Sequence, residues 1–299
     1  MKKTFVTLFS AALLLSACGS TVQPPAQSLS PSSSSAPSSD TAAGTAAPVK
    51  QEAAAAPSPA EQAVQKPAAE QTPAPVPSPA QAATEIKKEY KMNKNYDIVP
   101  IDASGNKKVV LLTFDDGPKE KELLDSLFDT LDKHKAKAIF FMNGYRIKSH
   151  PELLKLVDER GGILGNHSYD HIDLKKQTNE KVDQQLDDVN KLMKDIVGKT
   201  PQFFRPPFGS GSDYVKEKAK KEHMLYMTWS NGSLDWEMTN AKNDPKAVVK
   251  NVLDQLHAGS NILMHELPWT AQALDQLLAQ LEEKGYSFVD PRAIEVDVQ

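Results

Sequence analysis

From about residue 107 onward, short apolar runs alternate with longer segments in which apolar side chains recur at helical spacing. Strands are predicted at 109–114, 138–142, 162–166, 202–205, 224–229, 261–265 and 287–290, and helices at 120–134, 151–160, 179–197, 212–222, 245–257 and 271–284. In the last helix Leu274, Leu277, Leu278 and Leu281 fall on one face. The first strand is almost uninterrupted in apolar character, as a strand covered on both faces should be. Strand then helix, repeated to about residue 290, predicts a parallel α/β domain. No internal repeat accompanies it.

Upstream the pattern disappears. Residues 1–18 have the layout of a bacterial export signal: Lys2 and Lys3, an apolar stretch from Phe5 to Leu15, then Leu15-Ser16-Ala17-Cys18. The apolar stretch is too short to cross a bilayer as a mature helix. The last four residues of this segment, Leu15–Cys18, resemble a lipobox, which makes Cys18 the expected lipidation site and the new N-terminus. Residues 19–95 are expected to form a disordered linker rich in Ala, Pro and Ser; from Gly19 to about Thr84 aromatics are absent and large aliphatics too few to offset the entropy of ordering. At about 3.1 Å per residue in polyproline II, such a tether reaches on the order of 200 Å. Residues 96–299 are left as the one folded domain. Cys18 is the sole cysteine, so no disulfide braces that domain. A net charge of −4 gives no reason to expect nucleic-acid binding.

The unusual polar residues gather at the carboxyl ends of the predicted strands, the edge on which α/β folds build their sites. Asp115 and Asp116 follow the first strand, His167 and His171 the third, and Arg205 ends the fourth. Asp235 and Trp236 lie past the fifth, and His265 ends the sixth. Adjacent carboxylates after a buried strand are costly unless a cation compensates them, although Asp-Gly-Pro is also ordinary turn chemistry. Histidines four apart can bring both imidazoles to one metal, and with a carboxylate they leave coordination positions open, although such a pair also arises by chance. Asp235 is a carboxylate partner able to keep His265 protonated. His134, His150, His223 and His257 read as surface or packing residues. Tyr145, Tyr169 and Trp269 are equally compatible with stacking on sugar rings and with core packing.

In chain order these segments resemble the five motifs of the polysaccharide deacetylase family, the NodB-homology carbohydrate esterases of family 4, here in a bacterial lipoprotein setting. Thr113-Phe114-Asp115-Asp116-Gly117-Pro118 is similar to the first motif, and His167-Ser168-Tyr169-Asp170-His171 to the second. Arg205-Pro206-Pro207-Phe208-Gly209 is similar to the third, Ser233-Leu234-Asp235-Trp236 to the end of the fourth, and Leu263-Met264-His265 to the fifth. The resemblance implies a deformed (β/α) barrel of about seven parallel strands. It also implies metal-dependent removal of N-acetyl groups from amino sugars of an envelope polysaccharide, with release of acetate. By the same implication Asp116, His167 and His171 bind a divalent metal, zinc first, with cobalt or another divalent ion as alternatives. Asp115 is the general base, oriented by Arg205, and His265 is the general acid, tuned by Asp235. The Phe208 backbone N–H serves the oxyanion, while Trp236 and Leu263 shape the acetyl pocket. Two positions depart from the family pattern: Phe208 stands in place of a tyrosine and Gly232 in place of an aspartate. The lipobox and tether point to peptidoglycan as substrate and to anchoring at the bacterial cell membrane, facing the wall; a monomer is expected. Chitin-like or O-acetylated polysaccharide, and an inactive wall-binding lipoprotein, are the alternatives.

Overall fold

The structure, a computed structural model, describes residues 86–296. The expected signal segment, Cys18 and the linker as far as residue 85 lie outside the described residues. A hairpin of β1 (Tyr90–Met92) and β2 (Ile98–Pro100) leads into β3 (Val109–Gly117), α1 (Lys121–Lys133), β4 (Ala138–Met142), α2 (Gly144–Ser149) and α3 (Pro151–Glu159). Then come β5 (Ile163–Asn166), α4 (Asn179–Val197), β6 (Phe203–Phe204), α5 (Asp213–Lys221), β7 (Leu225–Tyr226) and β8 (Asn231–Gly232). The chain ends with α6 (Pro245–Asp254), β9 (Ser260–His265), α7 (Pro268–Glu283) and β10 (Ser287–Phe288). Among the described residues, no helix is long and apolar enough to cross a membrane.

Strands β3 to β10 form one sheet in which every pairing is parallel, in the order β7-β6-β5-β4-β3-β9-β8, with β10 also on β3. The expected deformed barrel is therefore present. Its outer strands β7 and β8 follow each other in the chain, and the segment 227–230 links them without a ladder. Arg205 Nη2 and Asn261 Nδ2 both donate to the Thr228 carbonyl there, at 2.8 and 3.1 Å, which fixes the gap.

Strand periodicity explains the uninterrupted apolar run of β3. Val109 and Leu111 join Ile139, Phe141, Phe203 and Leu225 in an inner cluster that contains no helix residue. Val110, Leu112 and Phe114 face outward, against α1, α3, α6 and α7. Successive strand side chains point to opposite faces, so both parities must be apolar when both faces are covered. Phe114 stacks on Phe140, and Phe140 on Phe128 of α1, with ring centroids 5.2 and 4.9 Å apart. The helices start where their side chains allow: Thr178 and Ser212 accept from Lys181 N and Val215 N, and Pro245 and Pro268 open α6 and α7.

The expected linker boundary at residue 95 lies too far along the chain. Tyr90–Met92 pairs with Ile98–Pro100, Tyr90 bridges Ile294, and Lys88 Nζ donates to the Arg292 and Ile294 carbonyls at 3.0 Å. The fold thus begins by residue 88. A three-residue strand carries too little alternation to stand out from a polar flank. The same brevity hides β8 and the single-turn-scale α2.

Candidate active site

Parity places the first carboxylate. Residues 109, 111 and 113 of β3 face the barrel interior, so Asp115 also points inward, and it is 3% exposed. Regular pleating would send Asp116 to the helix side. Instead the ladder to β4 runs in register to Phe114↔Phe140 and resumes at Gly117↔Met142, one residue longer on β3. This β-bulge, with Asp116 at φ 65°, turns the second carboxylate back toward the same mouth.

Asp116 meets two histidines there. Its Oδ1 lies 3.1 Å from His171 Nε2 and 3.5 Å from His167 Nε2, and the three ligand atoms lie within 4.8 Å of one another. His167 Nδ1 lies 2.7 Å from the Arg205 carbonyl and donates to it, which leaves the Nε2 lone pair facing Asp116. Among the described residues, the buried Asp116 Oδ1 has no hydrogen-bond partner despite the two nitrogens nearby. Lone pairs converging on one point without hydrogen-bond geometry are what a divalent cation requires, so this donor set fits a metal.

Behind Asp115 lies Arg205, 0% exposed. Nη1 donates to Asp115 Oδ1 at 2.7 Å and Thr113 Oγ1 at 2.8 Å, and Nη2 to Thr228 O at 2.8 Å and Asn261 Oδ1 at 3.2 Å. Its guanidinium also covers the Phe141 ring at 4.4 Å. Arg205→Lys retains the charge but not the fork, leaving buried acceptors without donors. A loss of about 3 kcal/mol is expected, roughly 6–12 °C in thermal melting for a domain of this size. A melt within about 2 °C of wild type would count against this role.

Across the cleft, Asp235 holds His265 from two sides. Oδ1 pairs with His265 Nδ1 at 2.7 Å, while Oδ2 accepts from the His265 N–H at 2.8 Å and from Thr270 Oγ1 at 2.7 Å. Burial pushes the His265 imidazole down, but the Asp235 hydrogen bond and charge outweigh it and hold its pKa above the ordinary histidine value.

A cleft of about 450 Å³ joins these groups, lined by Asp115, Asp116, His167, His171, Phe208, Gly209, Trp229, Trp236, Leu263 and His265. All the expected metal and substrate residues and both proton-transfer residues are thus brought together. Arg205 and Asp235, expected among the catalytic residues, do not line it; both are fully buried and hydrogen-bond Asp115 and His265 from behind. Phe208 is 66% exposed and sets its ring edge against His171, with centroids 4.8 Å apart. Trp236 stands edge-on to His265 at 5.5 Å. A Cβ on Gly232 would meet the Trp236 ring at 3.1 Å, so this departure from the family pattern makes room for that indole. Asp116, Ser168, His171, Phe208 and Leu234, all at or next to the site, hold positive φ. Such strain in non-glycine residues gathers where geometry is functional.

Trp269, a candidate for sugar stacking, is 5% exposed, and its Nε1 donates to the Asp235 carbonyl at 2.9 Å, so it packs in the core behind Asp235. Tyr169 packs against Gly144, where a Cβ would come within 2.3 Å of its ring. Tyr145 alone of the three stays largely exposed. The sequence pattern does not single out Thr113, Asn143, Asn261, Glu266 or Thr270. Asn143 Nδ2 donates to the His167 carbonyl at 2.8 Å and ties β4 to the second motif. Polar side chains that close or interrupt apolar strand runs are the signal that could have found the first four; Thr270 lies within α7 and carries no such signal.

Fold and site define an α/β protein with a candidate metal centre, flanked in one cleft by the Asp115 carboxylate and the His265 imidazole. The chain belongs to the polysaccharide deacetylase family: the family model "Polysaccharide deacetylase" matches residues 102–227. It is similar to the peptidoglycan-N-acetylmuramic acid deacetylase PdaA of Bacillus subtilis, 34% identical over 60% of this chain and 69% of that protein. Among solved structures it is similar to the Bc1960 peptidoglycan N-acetylglucosamine deacetylase, with TM-score 0.57 and 32% identity over 62% of this chain and 86% of that one. It is also similar to wild-type BA3943 of Bacillus anthracis, described as a family 4 pseudoenzyme, with TM-score 0.58 and 30% identity over 61% of this chain and 63% of that one. The family and the relatives' activities make this chain a polysaccharide N-deacetylase.

Proposed function

We propose that this chain hydrolyses N-acetyl groups from amino sugars of peptidoglycan, in a zinc- or other divalent-metal-dependent reaction, while lipid-anchored through Cys18 and facing the wall. The convergence of Asp115, Asp116, His167, His171 and His265 on one cleft carries this reading. It also favours an enzyme over a wall-binding pseudoenzyme, because recognition alone needs no paired acid and base.

An amide is a poor electrophile with a poor leaving group. Asp116, His167 and His171 would hold the metal, which supplies Lewis acidity to the acyl oxygen and lowers the pKa of water. Asp115, fixed by Arg205, takes the proton from the attacking water. His265, kept charged by Asp235, donates its proton to the departing amine nitrogen. The Phe208 N–H is assigned to the developing oxyanion, and Trp236 and Leu263 to the acetyl methyl.

Zinc-loaded protein is expected to release acetate from N-acetylglucosamine oligomers or from wall fragments. Mass spectrometry of digested muropeptides then identifies the deacetylated sugar. Release from neither substrate sinks the proposal, and binding to wall glycan without release revives the inactive reading. Release confined to O-acetylated or chitin-like polymer transfers the activity to that substrate. In the full chain, Cys18→Ser is expected to leave the membrane fraction; retention there refutes the anchor.

A further inference from the structure

We propose that Glu266 is a positioning residue that staples the bulge carrying Asp115 and Asp116 and so sets where the Asp116 carboxylate meets His167 and His171. The inference rests on the reading of those three side chains as metal ligands.

A bulge with a non-glycine residue at positive φ costs on the order of 1–3 kcal/mol and persists only where its surroundings hold it. On the β4 side, the Asn143 N–H donates to the Gly117 carbonyl at 2.8 Å. On the β9 side, Glu266 grips both ends. Its N–H donates to the Asp115 carbonyl at 3.4 Å, before the bulge, and its Oε2 accepts from the Lys119 N–H at 2.9 Å, after it.

The fit between staple and bulge is close. Glu266 is 0% exposed, and a Cβ on Gly117 would lie 1.8 Å from Glu266 Oε1. The Asp-Asp-Gly run therefore ends in glycine because the carboxyl of Glu266 occupies the space a side chain would need. Oε1 itself has no hydrogen-bond partner among the described residues. Burial pushes the Glu266 carboxyl up to about 7, while the Lys119 N–H and the Lys119 and Arg146 charges pull the other way. Glu266 does not line the cleft, so it acts through the bulge rather than on substrate. It directly follows His265. One dipeptide of β9 and its exit thus presents the acid and fixes the loop that presents the base.

The competing explanation is that Glu266 only neutralises Lys119 and Arg146. Zinc affinity by calorimetry, deacetylation kinetics and thermal melts of Glu266→Gln, Glu266→Ala and Gly117→Ala separate the two. Glutamine keeps an oxygen for the Lys119 N–H, and its zinc Kd is expected within about threefold of wild type. Alanine is expected to weaken zinc about 10–100-fold, as loss of a supporting partner around a metal site does, and to lower kcat at least about tenfold with little change in KM. Gly117→Ala should reproduce that loss and add much less when combined with Glu266→Ala, because the clash is then largely removed. Unchanged zinc binding in Glu266→Ala overturns the proposal, and so does equal impairment by glutamine and alanine. If Glu266→Ala does not fold, Glu266→Gln and Gly117→Ala decide it: weakened zinc in the first, or intact zinc in the second, is the overturning result. Wild-type protein that binds no zinc instead refutes the assignment of the three ligands.

Discussion

Asp116→Ala is expected to abolish metal binding, whereas Asp115→Asn is expected to bind metal nearly as well as wild type and to lose turnover by about 10²–10⁴-fold. The bulge gives the two carboxylates different surroundings despite their adjacency. Asp116 Oδ1 is close to both Nε2 atoms, at 3.1 and 3.5 Å, and otherwise unpartnered. Asp115 Oδ1 accepts from Arg205 Nη1, and its Oδ2 is 3.7 Å from His167 Nε2. Asparagine can still accept from Arg205, so the geometry survives, but the proton acceptor does not. Its cost lies in stability. Arg205 is wholly buried and loses its counter-charge, which is worth about 3–5 kcal/mol where such pairs have been broken. Kinetics should therefore be run well below the lowered melting temperature. Calorimetric metal titration checks the division of labour: equal loss of affinity in the two variants would show both carboxylates to be ligands.

What can be read from the chain follows a physical line. Polar residues that end apolar strand runs stand out, and parallel topology brings those ends to one edge, so Asp115, His167, Arg205 and His265 are legible in the sequence itself. Strand periodicity does not say which aspartate faces which partner, because that depends on the register slip between Phe114↔Phe140 and Gly117↔Met142. The slip belongs to a pair of strands, and a single strand's pattern does not contain it. Thr113, Asn261 and Thr270 do not stand out, because one buried hydrogen-bonding residue looks like another until its partner is known. Trp269 is ambiguous in sequence for the related reason that an indole suits both a core and a sugar surface; the Asp235 carbonyl as its acceptor settles the matter. The early start of the fold, at Lys88, depends on bonds to Arg292 and Ile294 at the far end of the chain.

The acid side yields the second large effect. Asp235→Asn is expected to shift the alkaline limb of the pH–rate profile to lower pH and to reduce kcat by about 10²–10⁴-fold at neutral pH, with metal affinity preserved. In the wild type, burial favours neutral His265 and the Asp235 carboxylate favours the imidazolium; the carboxylate prevails and the pKa is raised. A reaction needing protonated His265 then runs fully below that raised pKa and fails as pH rises through it. Asparagine removes the charge that opposes burial, so the pKa falls toward or below the ordinary value of about 6.5, and the failure comes at lower pH. The His265 N–H and the Thr270 hydroxyl both donate to Asp235 Oδ2, at 2.8 and 2.7 Å, and the amide oxygen of asparagine can still accept from them. The histidine should thus stay in place while its proton affinity drops. Asp235 is not among the groups converging on the metal site, so zinc titration should match wild type, which separates this variant from a general collapse of the site. An unmoved alkaline limb would show that another group donates the proton to the leaving amine.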